Sequence, residues 1–171
     1  MEPDDDFRRF FDEQFGSLRR LGYLLTRSWE QAEELAQDAM VRTYSAWSRI
    51  ARPELASGYA RATLVNRHRS LLRRALVTAR YRNRVQAAAL VPPPGPELHF
   101  VVWEALGRLS DAQRTILVLR FYEDLSEAEV ARLIHMPAGT VKSHTRRGLA
   151  RLRRELGGLD AGDAEHTEVT S

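Results

Sequence analysis

Apolar positions recur at three- and four-residue intervals from the start of the chain: Phe7, Phe10, Phe11, Phe15, Leu18, Leu21, Leu24 and Leu25. That spacing lines one side of an α-helix. The stretch TRSWEQAEELAQDAMVRTYSAW continues the pattern, with Ser28 placed to cap a new helix and Gln31 three residues on. Its inward face is expected to hold Ala32, Leu35, Ala36, Ala39, Met40, Thr43 and Trp47. ARPELAS contains Pro53 and reads as a loop. Helical spacing then resumes through Leu64, Leu71, Leu72 and Leu76.

VPPPGPE interrupts the pattern. Pro92 to Pro94, Gly95 and Pro96 cannot continue a helix, and residues 91–99 are predicted to form a flexible, Pro-rich linker. Beyond it, FVVWEALGRL forms one helix from Phe100, and SDAQRTILVLRFYE opens on a Ser110 cap. Its apolar run, Ile116 to Leu119 with Phe121, covers most of a helical turn, so this helix is expected to be largely buried. SEAEVARLI carries a capping box, Ser126 with Glu129. Residues 157–171 are polar and glycine-rich and are expected to be a disordered tail. No strand-like alternation stands out. The predicted fold class is all-α, with one helical domain over residues 7–90 and a second over residues 100–156.

Charge sharpens this picture. The net charge of +3 hides a segregation along the chain. Residues 1–40 hold ten acids and five bases, whereas residues 41–90 hold eleven bases and one acid. Residues 91–136 are again acidic, residues 137–156 carry six bases and one acid, and the tail carries only acids. Two basic blocks, each preceded by an acidic one, suggest two surfaces for a polyanion. There is no cysteine, which removes disulfides, thiolate metal sites and cysteine nucleophiles. The five histidines form no ligand cluster, and His144 is read as a surface residue. No apolar run approaches the roughly eighteen residues a membrane helix needs, and MEPDDDF is not a signal pattern. A cytoplasmic protein without membrane insertion, metal or cofactor is expected. Adjacent acids such as Asp5/Asp6 and Glu33/Glu34 lack a base, nucleophile or Gly-rich loop, so no catalysis is expected.

LSEAEVARLIHMPAGTVKSHTRRGLARLRREL has the layout of a helix-turn-helix. The first helix, Ser126 to Ile134, is amphipathic through Val130, Ala131 and Ile134, and HMP connects it to the next. Pro137 suits the first turn of the second helix. That helix turns Val141, Leu149, Leu152 and Leu156 toward a core and leaves Lys142, Ser143, Arg146, Arg147, Arg151, Arg153 and Arg154 largely on other faces. Such a helix fits the DNA major groove, with its N-terminal side chains at base edges and its later arginines on phosphates.

The same half of the chain, LSDAQRTILVLRFYEDLSEAEVARLIHMPAGTVKSHTRRGLARLR, resembles region 4 of extracytoplasmic-function (ECF) RNA polymerase sigma factors of the actinobacterial, two-domain type. AEELAQDAMVRTYSAW resembles the polymerase-binding part of sigma region 2, and YARATLVNRHRSLLRR its promoter-melting part. GTVKSH also occurs in LuxR-type regulators; both halves in this order point to the sigma family.

The resemblance implies an alternative sigma factor that docks on core RNA polymerase and reads the −35 and −10 elements of promoter DNA. It places polymerase binding on Glu34, Gln37, Asp38 and Arg42. It places −10 recognition and melting on Tyr59, Arg61, Asn66, Arg67, Arg73 and Arg74, beside a base-capturing loop over residues 50–57. It places −35 recognition on Thr140, Lys142, Ser143, Arg146 and Arg147. An anti-sigma partner and a monomeric free state are further expectations. Many relatives carry arginine where Ala62 stands and aspartate where Ser70 stands; Arg61 is displaced by one position. His135 occupies a place often held by glycine, so the turn there is expected to be slightly strained or reshaped. Two other readings stay open: a free-standing helix-turn-helix regulator that binds its operator without polymerase, and a helical adaptor whose basic faces bind protein.

Overall fold

A computed structural model describes the backbone of residues 3–50, 53–81 and 97–163, and the side chains of residues 5–50, 55–75 and 101–157. Every regular element among them is helical. The α-helices are α1 (Pro3–Thr26), α2 (Trp29–Ala46), α3 (Pro53–Tyr81), α4 (Glu97–Gly107), α5 (Asp111–Phe121), α6 (Glu127–Leu133) and α7 (Ala138–Asp163), with a 3-10 turn at Trp47–Arg49. The chain divides into two compact units, Met1–Val91 and Pro92–Ser171.

In the first unit α1, α2 and α3 pack on one another. The sharp corner between α1 and α2 is built locally. Arg27 adopts φ 61°, and its N–H donates to Tyr23 O at 2.8 Å. The Thr26 hydroxyl reaches Gly22 O at 2.8 Å, and the Ser28 side chain accepts from Gln31 N, capping α2 as expected. Trp29 stacks on Tyr23 with ring centroids 4.0 Å apart, and the Arg19 guanidinium sits over Trp29 while reaching Glu33 at 3.1 Å. Leu18, Leu21, Leu25 and Leu64 fill the core against Ala32, Ala36, Ala39, Ala56 and Ala60. Burying each leucine contributes about 1.5–3 kcal/mol, and the alanines let the helices approach closely.

Three expectations change here. Trp47 is only half-buried, and Ala46 takes the inward place on α2. Its indole instead meets Phe7 and Phe10, each with centroids 5.1 Å away. The loop assigned to residues 50–57 is shorter, because α3 begins at Pro53. Proline has no N–H to lose in the first turn of a helix, so it starts this one where the sequence suggested a break. At the other end, α1 begins at Pro3, for the same reason, four residues before Phe7.

In the second unit α4, α5 and α6 each pack on α7. Capping boxes are formed at both Ser110 and Ser126. The hydrogen bonds from the Ser126 side chain and backbone hold the Glu129 carboxyl below its ordinary pKa. Ile116 to Leu119 are buried, but Phe121 is 59% exposed: it ends α5, where the helix has left the core, and Arg120 covers part of its ring. Helix α4 starts at Glu97, directly after Pro96 and within the stretch 91–99 read as linker; residues 91–96 lie outside the described residues. Helix α7 runs to Asp163, into the segment 157–171 expected as tail. Extending an existing helix is far easier than starting one, and a glycine such as Gly157 costs only about 1 kcal/mol. Residues 164–171 lie outside the described residues.

Candidate nucleic-acid interfaces

The second unit presents the helix-turn-helix. Helix α6 is capped at its C-terminus by Ile134, whose N–H donates to Val130 O at 2.9 Å, and the chain reverses at His135 with φ 49°. A non-glycine residue in the left-handed region is strained, as the sequence suggested. Pro137 accepts from the N–H groups of Thr140 and Val141 in the first turn of α7. Val130, Ile134 and Val141 are fully buried, which fixes the second helix against the first.

The opposite side of α7 is polar. Thr140, Lys142, Arg146 and Arg147 are exposed and Ser143 is half-buried, whereas Val141, Thr145 and Gly148 face the core. Lys142 and Arg146 are one turn apart, about 6 Å along the axis, and Ser143 and Arg147 form the adjacent row. The ion pairs of α7 among the described residues involve Glu155, with Arg108 at 3.3 Å and Arg151 at 4.0 Å. Among the described residues, the cations in the N-terminal half of the helix therefore have no carboxylate partner. His144 departs from its surface assignment. It is half-buried at the flank of this face, its Nδ1 is buried without a hydrogen-bonding partner, and burial, then the charge of Arg147, pull its pKa below the ordinary value. No group of three or more His, Asp or Glu that could hold a metal occurs among the described residues.

In the first unit, a groove of about 410 Å³ runs between α2 and α3, lined by Arg42, Tyr59, Ala62, Thr63, Asn66, Arg67 and Ser70. Tyr59, Thr63, Asn66 and Ser70 recur at helical spacing along one face of α3. Tyr59 is 42% exposed, so it is not a core residue. Both positions that depart from the family pattern, Ala62 and Ser70, lie in this groove. Arg61 is not among the residues that line it. Arg73 and Arg74 are exposed farther along α3. The basic block is crowded, and burial, followed by the charge of Arg73, lowers the pKa of Arg69.

The four residues assigned to polymerase binding separate into two groups. Glu34 and Gln37 are exposed on the outer face of α2, with Gln37 within 3.5 Å of Glu33. Asp38 and Arg42 lie at the edge facing α3, where Asp38 Oδ2 is 3.0 Å from Arg42 Nε and 3.5 Å from Arg67 Nε. Sequence reasoning missed this cross-helix pairing and the place of Thr63. The periodic spacing from Tyr59 could have revealed Thr63; no local signal reveals the pairing.

Both units match known protein families. Residues 11–76 match the Sigma-70 region 2 family and residues 99–152 the Sigma-70, region 4 family. The RNA polymerase sigma-E factor of Streptomyces avermitilis is 33% identical over 168 residues, covering 95% of this chain and 93% of that protein. The ECF RNA polymerase sigma factor SigM of Mycobacterium tuberculosis is 32% identical over 158 residues, covering 91% of this chain and 80% of that protein. The fold resembles that of the sigma factor RpoE solved in complex with the anti-sigma factor NepR from Bartonella quintana. That likeness has a TM-score of 0.72 at 22% identity, covering 89% of this chain and 97% of that one. With two family regions in order and relatives matched over 80–93% of their length, the chain belongs to the ECF family of RNA polymerase sigma factors.

Proposed function

We propose that this alternative sigma factor divides initiation between its two units along the lines of their surfaces. A domain over residues 7–90 docks on core RNA polymerase and opens the −10 element, and a domain over residues 100–156 reads the −35 element. Docking uses the outer face of α2, with Glu34 and Gln37 at its centre and Asp38 and Arg42 at its edge. Opening uses the α2–α3 groove. Asn66 supplies an amide to a base edge, Tyr59 a stacking surface and Arg67 a phosphate contact. Arg61, Arg73 and Arg74 extend the cationic track. Thr140, Lys142, Ser143, Arg146 and Arg147 contact the −35 duplex.

The observation that carries this reading is the face of α7. Five polar or cationic side chains stand in its first turns, outside a core closed by Val130, Ile134 and Val141. A helix held by its buried side, with an unneutralised cationic face at its N-terminal end, suits the major groove. Phosphodiester synthesis belongs to the polymerase, and this chain contributes no catalytic group. The protein works in the cytoplasm and is a monomer when free of polymerase. An anti-sigma protein that covers these surfaces would hold it inactive. The test is protection of promoter DNA by reconstituted holoenzyme. Protection of a −35 site that disappears in K142A/R146A, while core binding persists, is the expected result. Unchanged protection would refute the assignment of α7.

A further inference from the structure

The Asp38 carboxylate is shared between two helices. Its Oδ2 accepts from Arg42 Nε at 3.0 Å, one turn along α2, and lies 3.5 Å from Arg67 Nε on α3. Arg42 and Arg67 both line the groove with Tyr59, Asn66 and Ser70, whereas Asp38 does not. Two guanidiniums on facing helices repel each other; one carboxylate between them offsets that repulsion and orients both planar groups. The three side chains are 32–55% exposed, so the cluster adds little to stability. Its consequence is geometric. With each Nε within 3.5 Å of the same Asp38 oxygen, both guanidiniums stand beside the groove that the two arginines line, and their terminal N–H groups are left to serve as donors there.

Building on the mechanism proposed above, we infer that Asp38 is a positioning residue for promoter opening. It holds Arg42 and Arg67 as a cationic pair that receives a backbone phosphate of the single-stranded −10 region. Arg42 thereby acts in the DNA groove, although it sits on the helix that docks the polymerase. Strand capture and docking share one carboxylate.

The sign of one substitution separates this from plain electrostatics. A carboxylate that merely lies near the strand repels phosphate, so neutralising it would speed capture. A carboxylate that sets two arginines in place loses them when neutralised, and capture slows. The test uses the full chain with saturating core polymerase, so that differences in assembly drop out. Open-complex formation is timed on a fragment active with the unaltered protein. D38N is expected to slow opening about two- to fivefold, and D38E to recover part of the loss. Placed in the R42Q/R67Q background, D38N is expected to have no further effect. Opening as fast or faster in D38N, or a loss that multiplies fully with R42Q/R67Q, would overturn the inference. If no fragment is active even with the unaltered protein, the sigma mechanism fails first and carries this inference with it.

Discussion

Gly22 of α1 lies against the backbone of Ala32 in α2: a Cβ at Gly22 would stand 3.0 Å from Ala32 Cα and 3.1 Å from its carbonyl oxygen. Neither atom can move without separating the helices. Gly22→Ala would gain about 1 kcal/mol of helix propensity but incur an overpacking cost of about 1–3 kcal/mol. The expected net result is a lower melting temperature for the first unit, and a larger drop for Gly22→Val. Thermal unfolding followed by circular dichroism checks this. An unchanged or raised midpoint in Gly22→Ala would show that the α1–α2 contact is looser than described.

His135 turns the chain at φ 49° between the two helices of the helix-turn-helix. Glycine adopts this conformation without steric cost, whereas a β-branched residue adopts it poorly. His135→Gly is expected to stabilise the second unit by up to about 1 kcal/mol, and His135→Val to destabilise it by about 1–2 kcal/mol. Denaturant unfolding of the two variants measures the difference. The same sign for both would contradict the strain.

Arg146 and Arg154 both carry charge on exposed parts of α7 but sit at different distances from its N-terminus. Arg146→Ala is expected to lose about 1–3 kcal/mol of discrimination at one −35 base pair. Arg154→Ala is expected to weaken initiation on all −35 sequences alike and to reduce the salt slope by about 1. Initiation across single-base −35 variants at several salt concentrations distinguishes the two patterns.

The pKa of His144 is lowered by burial and then by Arg147, so the native second unit favours the neutral imidazole. As pH falls below about 6.5 the unfolded chain binds this proton first, and stability is lost until the folded value is passed. The stability contributed by this residue is therefore complete above about pH 6.5 and declines on acidification. His144→Gln is expected to flatten that slope in unfolding experiments between neutral and mildly acidic pH. A slope that persists unchanged would place its origin elsewhere.

Local chemistry made much of the fold legible. Ser28, Ser110 and Ser126 each cap the helix that the apolar periodicity delimited, because a cap is decided within four residues. Pro53 misled, since the same ring that ends a helix also begins one. Phe121 misled because a continuous apolar run does not say where the core stops covering it. For the site, the polar face of α7 follows from helical spacing alone. Asp38 and Arg67 are 29 positions apart in sequence, on different helices, and their pairing is a product of how α2 packs on α3. It brings Arg42, one residue of the expected docking surface, beside Arg67 in the α2–α3 groove.

The most direct test of the account is run-off transcription with bacterial core RNA polymerase on a library of promoter fragments, with and without this protein. The account predicts transcripts that appear only with the protein, from fragments sharing one −35 and one −10 sequence, and their loss in the Glu34→Lys/Gln37→Lys variant that disrupts the α2 docking face. Tight binding to one duplex site without polymerase, together with no initiation and no co-elution with core, would contradict it and favour the free-standing regulator.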